Sequence, residues 1–111
     1  MKKKTESYLG FAKKSGNLLA GYNTCSAAIK KGKIKLLIVC EDLAENSMEK
    51  ILGLAKADHI KYRIYGHSDL LGPATGNPGR AIFGITDSGF ADTIIEAIDH
   101  EAIETLEEKE V

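Results

Sequence analysis

A chain of 111 residues, 43% of them apolar, can enclose one small core, which argues against repeat arrays and multi-domain enzymes. Its 15 Lys and Arg against 16 Asp and Glu leave a formal charge of -1, but the charges are divided along the chain. Residues 1–35 hold nine lysines and one acid, Glu6, whereas residues 88–111 hold eight acids and only Lys109, so a near-neutral total conceals a basic end and an acidic end.

Taken in chain order, Tyr8, Phe11 and Ala12 fall at i, i+3 and i+4, which predicts an amphipathic helix from Thr5 to Lys14 with these three on its buried stripe. Ser15-Gly16-Asn17 ends it, Leu18 to Ala20 is a minor strand, and Gly21 turns the chain into a second helix, Tyr22 to Lys31, stopped by Gly32. Lys35 to Cys40 is apolar on both faces, the mark of a central strand covered on two sides. Asn46-Ser47-Met48-Glu49 fits a capping box opening a third helix that runs to about Ala57. Ile60 to Tyr65 reads as a strand, Ser68 to Leu71 as a short helix closed by Gly72-Pro73, and Ala81 to Ile85 as another strand. Asp87 and Ser88 supply capping oxygens to a last helix with Phe90, Ala91, Ile94 and Ile98 inward, beyond which the six acids of residues 99–111 form a tail expected to fray.

This order predicts an α/β fold, a three-layer α/β/α sandwich around a small mixed, mostly four-stranded sheet. One domain accounts for residues 1–111, with its core in 5–98 and the acidic tail after it. Ligands of such sheets collect at loops beyond one end of the strands, here 20–23, 41–47 and 72–80. The longest apolar run, Leu36 to Cys40, is five residues, far below the roughly 20 that span a bilayer. Lysines 2–4 are followed by Thr5, Glu6 and Ser7 rather than by the apolar stretch of a signal peptide. Cys25 and Cys40 have no second pair and no His at ligand spacing, so they read as small core residues in a reducing compartment rather than as a disulfide or metal site. A cytoplasmic protein without a membrane partner is expected.

The usual catalytic signatures do not assemble. Lys31-Gly32-Lys33 lacks the earlier glycine of a phosphate loop, because position 27 is Ala. Gly72, Gly76 and Gly79 do not have dinucleotide-fingerprint spacing and read as loop glycines. His67-Ser68-Asp69 holds the atoms of a triad, but consecutive residues do not converge as one, and Ser68 or Asp69 reads as a helix cap. Glu41-Asp42 reads as a strand-end cap, and His59 and His100 as solvent-facing. No enzyme, metal or cofactor is expected. The second helix is more informative: Cys25, Ala28 and Ile29 share an inner face, while Asn23, Ala27, Lys30 and Lys31 lie on the outer one. There Asn23 and the free N–H groups of the first turn could meet an acceptor-rich RNA edge, with Lys30, Lys31, Lys33 and the amino-terminal lysines on phosphates. The alternative is an N-capping Asn beside a solvated lysine face.

Together these residues resemble a known family. Gly21-x-Asn23 opening a helix, Gly32, the strand KLLIVC, Glu41-Asp42, Leu71-Gly72-x-Ala74-x-Gly76 and the ending Ile82-Phe83-Gly84-Ile85-Thr86-Asp87 are similar in order and separation to the L7Ae/L30e ribosomal-protein superfamily, closest to its short bacterial YlxQ-like branch. The resemblance implies an α/β/α sandwich that binds kink-turn RNA, in which a sharply bent internal loop presents tandem sheared G·A pairs. Members contact the guanines with a Gly-x-Asn-Glu helix start and a Lys one turn later. A second loop, after the Leu-Gly helix, covers the flipped-out nucleotide. By that likeness Gly21 and Asn23 match, with Asn23 suited to guanine O6, while Thr24 stands in the Glu position and Ala27 in that of the Lys. The second loop keeps Gly76 and adds Arg80, but Asn77 and Pro78 replace branched aliphatic residues, and Pro73 the usual polar residue.

The RNA-binding residues expected are therefore Gly21, Asn23, Thr24, Lys30, Lys31, Lys33, Gly76, Asn77 and Arg80. The partner expected is a structured RNA, ribosomal or a regulatory leader, or the ribosome itself, bound by a monomer. A protein-interaction module that kept the fold after losing base readout is the alternative, motivated by Ala27 and the acidic end.

Overall fold

The computed structural model describes the backbone of residues 3–109. Along the chain run α1 (Lys4–Lys14), β1 (Leu18–Ala20), α2 (Tyr22–Lys30), β2 (Leu36–Val39), α3 (Glu45–Ala57), β3 (Lys61–Ile64), α4 (Ser68–Ala74), β4 (Ile82–Ile85) and α5 (Ser88–Lys109). The strands form one mixed sheet in the order β1-β4-β2-β3, with β2 parallel to β3 and β4 antiparallel to both of its neighbours. All four residues of β2 are buried, as a run apolar on both faces requires.

Strand alternation divides the core between two helical layers. Leu36 and Ile38 of β2, with Phe83 and Ile85 of β4, meet Leu9 and Ala12 of α1, Leu71 of α4, and Ala91, Ile94 and Ile98 of α5. Leu37, Val39 and Ile82 meet Cys25, Ala28 and Ile29 of α2 and Ile51 and Ala55 of α3. The architecture is the three-layer sandwich expected from the element order. The two expected core cysteines are both buried, and burial pushes each thiol up to about 12, so they are protonated and inert near neutrality.

Four helices end in the same way, each through a left-handed residue just past its last turn: Gly16, Gly32 and Gly76 after α1, α2 and α4, and His59, with a φ of 54°, after α3. Paired backbone bonds satisfy the last carbonyls; for α2 these run from Gly32 N–H to Ile29 and from Lys33 N–H to Ala28.

Several sequence expectations need correction. Phe11 is 55% exposed and the buried residues of α1 are Thr5, Leu9 and Ala12, because α1 turns these toward the core it shares with the sheet, α4 and α5. Helix α3 begins at Glu45 behind Ala44, without a side-chain cap, so Asn46 lies inside the first turn and does not head a capping box. Helix α4 runs through Gly72-Pro73 to Ala74. Proline near the end of a helix forfeits only one terminal bond, and the glycine serves close approach: a Cβ at position 72 would stand 3.0 Å from the Asn77 carbonyl oxygen. His67, not Ser68 or Asp69, caps α4, its Nδ1 accepting from the Asp69 N–H at 3.2 Å.

The expected fraying tail is helical as far as Lys109; residues 110 and 111 lie outside the described residues. Its first turn is tied down. Asp99 makes a fork with the Arg63 guanidinium at 2.9 and 3.1 Å, and Glu101 accepts from the Thr5 hydroxyl at 3.0 Å and from the Tyr65 phenol. Burial and that carboxylate acceptor hold the Tyr65 phenol protonated.

Candidate nucleic-acid interface

Strand direction gathers the loops. Because β1, β2 and β3 point the same way and β4 the opposite way, the residues after the first three and those before the fourth share one end of the sheet. Cross-loop backbone bonds lace that end together, from Gly21 N–H to Ile82, Cys40 N–H to Ala81 and Glu41 N–H to Gly66. The three loops picked out from sequence, 20–23, 41–47 and 72–80, therefore lie side by side.

Gly21 is the hinge of this surface. It caps α2 with a φ of 100°, in the region that favours glycine, and the Arg80 side chain lies over it: a Cβ at position 21 would be 3.6 Å from a guanidinium nitrogen of Arg80. The helix thus starts without a side-chain cap, and Asn23 is its second residue rather than its N-cap. Asn23 and Thr24 are exposed, and among the described residues the Asn23 amide makes no hydrogen bond. Free first-turn N–H groups, an open amide and a guanidinium together form a surface that favours acceptor-rich, anionic ligands.

The second loop is shaped by its own side chains. Gly76 and Gly79 both have positive φ, and the Asn77 amide donates to the Thr75 carbonyl at 2.8 Å while its backbone N–H donates to Gly72 at 2.7 Å. Half-buried Asn77 is thus fastened within the loop, whereas Arg80 is exposed. Asp42 of the neighbouring loop caps α4 rather than its own strand end: it accepts from the Ser68 hydroxyl and from the Ser68 N–H, and these bonds hold its carboxyl below the usual range. His67 and Ser68 both face Asp42, with His67 Nε2 3.6 Å away, in a capping arrangement rather than a nucleophile–base pair.

The lysines lie elsewhere. Lys30, Lys31 and Lys33 are exposed at the far end of α2, about 10 Å along the helix from Asn23 at 1.5 Å per residue. Seven residues amount to nearly two full turns, so Lys30 returns to the azimuth of Asn23, with exposed Ala27 between them. The nine expected residues therefore form two groups, Gly21, Asn23, Thr24, Gly76, Asn77 and Arg80 at one end of the sheet and three lysines at the other, joined by the outer face of α2. Among the described residues no group of three or more His, Cys, Asp or Glu could hold a metal ion, and no helix is long and apolar enough to cross a membrane.

Comparison with known proteins gives the family of the chain. Residues 3–95 match the family described as ribosomal protein L7Ae/L30e/S12e/Gadd45. The chain is similar to the RNA-binding protein YlxQ of Bacillus subtilis (strain 168), 25% identical over 91 residues that cover 82% of this chain and 91% of that protein. It is likewise similar to the RNA-binding protein YlxQ of Enterococcus faecium, 27% identical over 99 residues, 88% of this chain and 94% of the other. A solved protein of unknown function from Bacillus halodurans C superposes with a TM-score of 0.85 at 28% identity, covering 88% of this chain and 99% of that one. The Giardia lamblia 15.5kD RNA binding protein shares the fold, with a TM-score of 0.69 at 15% identity over 90% and 89% of the two chains. The family match covers every strand of the sheet and all of the loops gathered at its end, and the chain belongs to the ribosomal protein L7Ae/L30e/S12e/Gadd45 family.

Proposed function

We propose that this protein binds structured RNA of the kink-turn kind, as a cytoplasmic monomer, with its base-reading surface at the α2 N-terminus and the 76–80 loop. The observation that carries this reading is the meeting of Gly21 and Arg80, which sets an uncapped helix start, an unpaired Asn23 amide and a guanidinium on one exposed surface. Asn23 donates to guanine O6, the Thr24 hydroxyl takes the adjoining position, and Arg80 pairs with a phosphate of the bent strand. Gly76 and Asn77 set the shape of the loop over the extruded nucleotide. Lys30, Lys31 and Lys33 hold the phosphates of a helical arm lying along α2. Relatives named RNA-binding proteins support an RNA partner; a ribosomal or leader RNA is the partner proposed, and the ribosome is the place to seek it.

A labelled kink-turn RNA, titrated beside the same RNA with its G·A pairs changed to Watson–Crick pairs, tests this at two salt concentrations. Discriminating, salt-sensitive binding is the expected result. Equal weak binding to both, fading together as salt rises, would mean that the lysines only attract polyanions. One observation favours a second reading, a protein-interaction module: exposed Ala27 occupies the middle of the α2 stripe, where it can hydrogen-bond neither base nor phosphate. Ala27→Lys separates the two. A large gain in kink-turn binding, by up to about 1.5–3 kcal/mol for a restored charge-assisted contact, marks an RNA site on this face that Ala27 has eroded; no change points away from this surface.

A further inference from the structure

Phe11 stands out among the exposed side chains. It lies on α1 where two shallow grooves meet, so its ring is accessible from both. One groove, of about 430 Å³, runs between α1 and the end of α4 and is lined by Glu6, Lys13, Lys14, Ala74, Thr75 and Gly76, so that its two cations outnumber its one acid. The other, of about 590 Å³, brings Tyr8 and Phe90 beside Phe11, so that three of the chain's seven aromatic side chains border a single surface. Asp87 also borders the second groove, but its carboxylate accepts from the Phe90 N–H at 2.8 Å and serves as a helix cap.

We propose that Phe11 is a stacking platform for an unpaired nucleotide flanking the bent RNA, with Lys13 and Lys14 on the phosphates of that strand. The proposal rests on the RNA reading above and extends it to a second subsite. Three features carry it. Gly76, in the loop assigned to the extruded nucleotide, is also a wall of the Phe11 groove, so the groove leads from that loop to the ring. Exposed Lys13 and Lys14 in the last turn of α1 supply the charge a phosphate backbone needs. An accessible aromatic ring stacks any base, which suits a flanking single strand whose sequence is not read.

The test compares a blunt kink-turn RNA with the same RNA carrying an unpaired tail of about six nucleotides, placed at each strand end in turn. For the wild type one tail position should tighten binding about 5- to 150-fold, the usual range for stacking one base on an aromatic side chain. Phe11→Ala should abolish that gain and leave affinity for the blunt RNA and the thermal midpoint unchanged, while Phe11→Tyr should retain it. No gain from either tail overturns the proposal, and so does an equal loss for blunt and tailed RNA in Phe11→Ala. If the wild type binds neither kink-turn RNA, the kink-turn reading fails, and a uridine oligomer of about eight nucleotides tests Phe11 separately. Binding of that oligomer that disappears in Phe11→Ala upholds the platform, whereas equal binding or none overturns it.

Discussion

Asn23 and His59 illustrate how much one position can carry. Asn23 is the second residue of an uncapped helix with its side chain exposed, so its truncation tests the proposed base contact without disturbing the fold. Asn23→Ala is expected to weaken kink-turn binding by about 1–3 kcal/mol, measured by titration, and to erase the preference for G·A pairs. His59 is the opposite case, a residue whose identity works against its backbone. It closes α3 at a φ of 54°, where the other three helices use glycine. A left-handed residue with a Cβ costs roughly 1–2 kcal/mol, and glycine returns about 0.5–1 kcal/mol of that in chain entropy. His59→Gly should therefore stabilise the protein by about 0.5–1 kcal/mol in urea unfolding.

At the scale of elements, α5 depends on contacts from distant segments. Its 22 residues extend well past Ile98, the last buried position among the described residues, and the next turn is held by Arg63 of β3, Thr5 of α1 and Tyr65. The Arg63 guanidinium holds the Asp99 carboxyl below the usual carboxylate range. A folded pKa below the unfolded value near 3.9 stabilises the fold above about pH 4, and the contribution is lost as pH falls through the folded pKa. Urea midpoints of the wild type and Asp99→Asn should accordingly differ at pH 7 and converge toward pH 3. A constant difference across that range would show that the pair contributes through shape rather than charge. The acidic composition of this segment suggested fraying, because a count of like charges contains nothing about the Arg63, Thr5 and Tyr65 side chains that receive it.

For the whole molecule, the decisive feature is the path of the sheet, which puts the residues proposed to read bases and those proposed to hold phosphates at opposite ends of α2. A bound RNA arm along that helix would span about 10 Å between Asn23 and Lys30, and the far lysines would act through charge alone. Lys30→Ala and Lys31→Ala are each expected to weaken kink-turn and control RNA alike and to lower the slope of log affinity against log salt by about one. A variant that lost only the control RNA would contradict the phosphate role.

The sequence by itself determined the elements and much of the core. Apolar spacing, apolar runs and turn residues together marked every helix and strand, β2 announced itself as central by being apolar on both faces, and Cys25, Ala28 and Ile29 were legible as the inner face of α2. These are local properties, written in spacing and residue type. Even the gathering of the 20–23, 41–47 and 72–80 loops followed from the alternation of helix and strand. The tertiary structure decided which way α1 turns, and hence that Leu9 rather than Phe11 enters the core. It also decided that Arg80 lies over Gly21, that Asp42 caps a helix 26 residues away, and that the acidic tail begins as an anchored helix. Each of these depends on a side chain far off in sequence, brought near only by the order and direction of the strands.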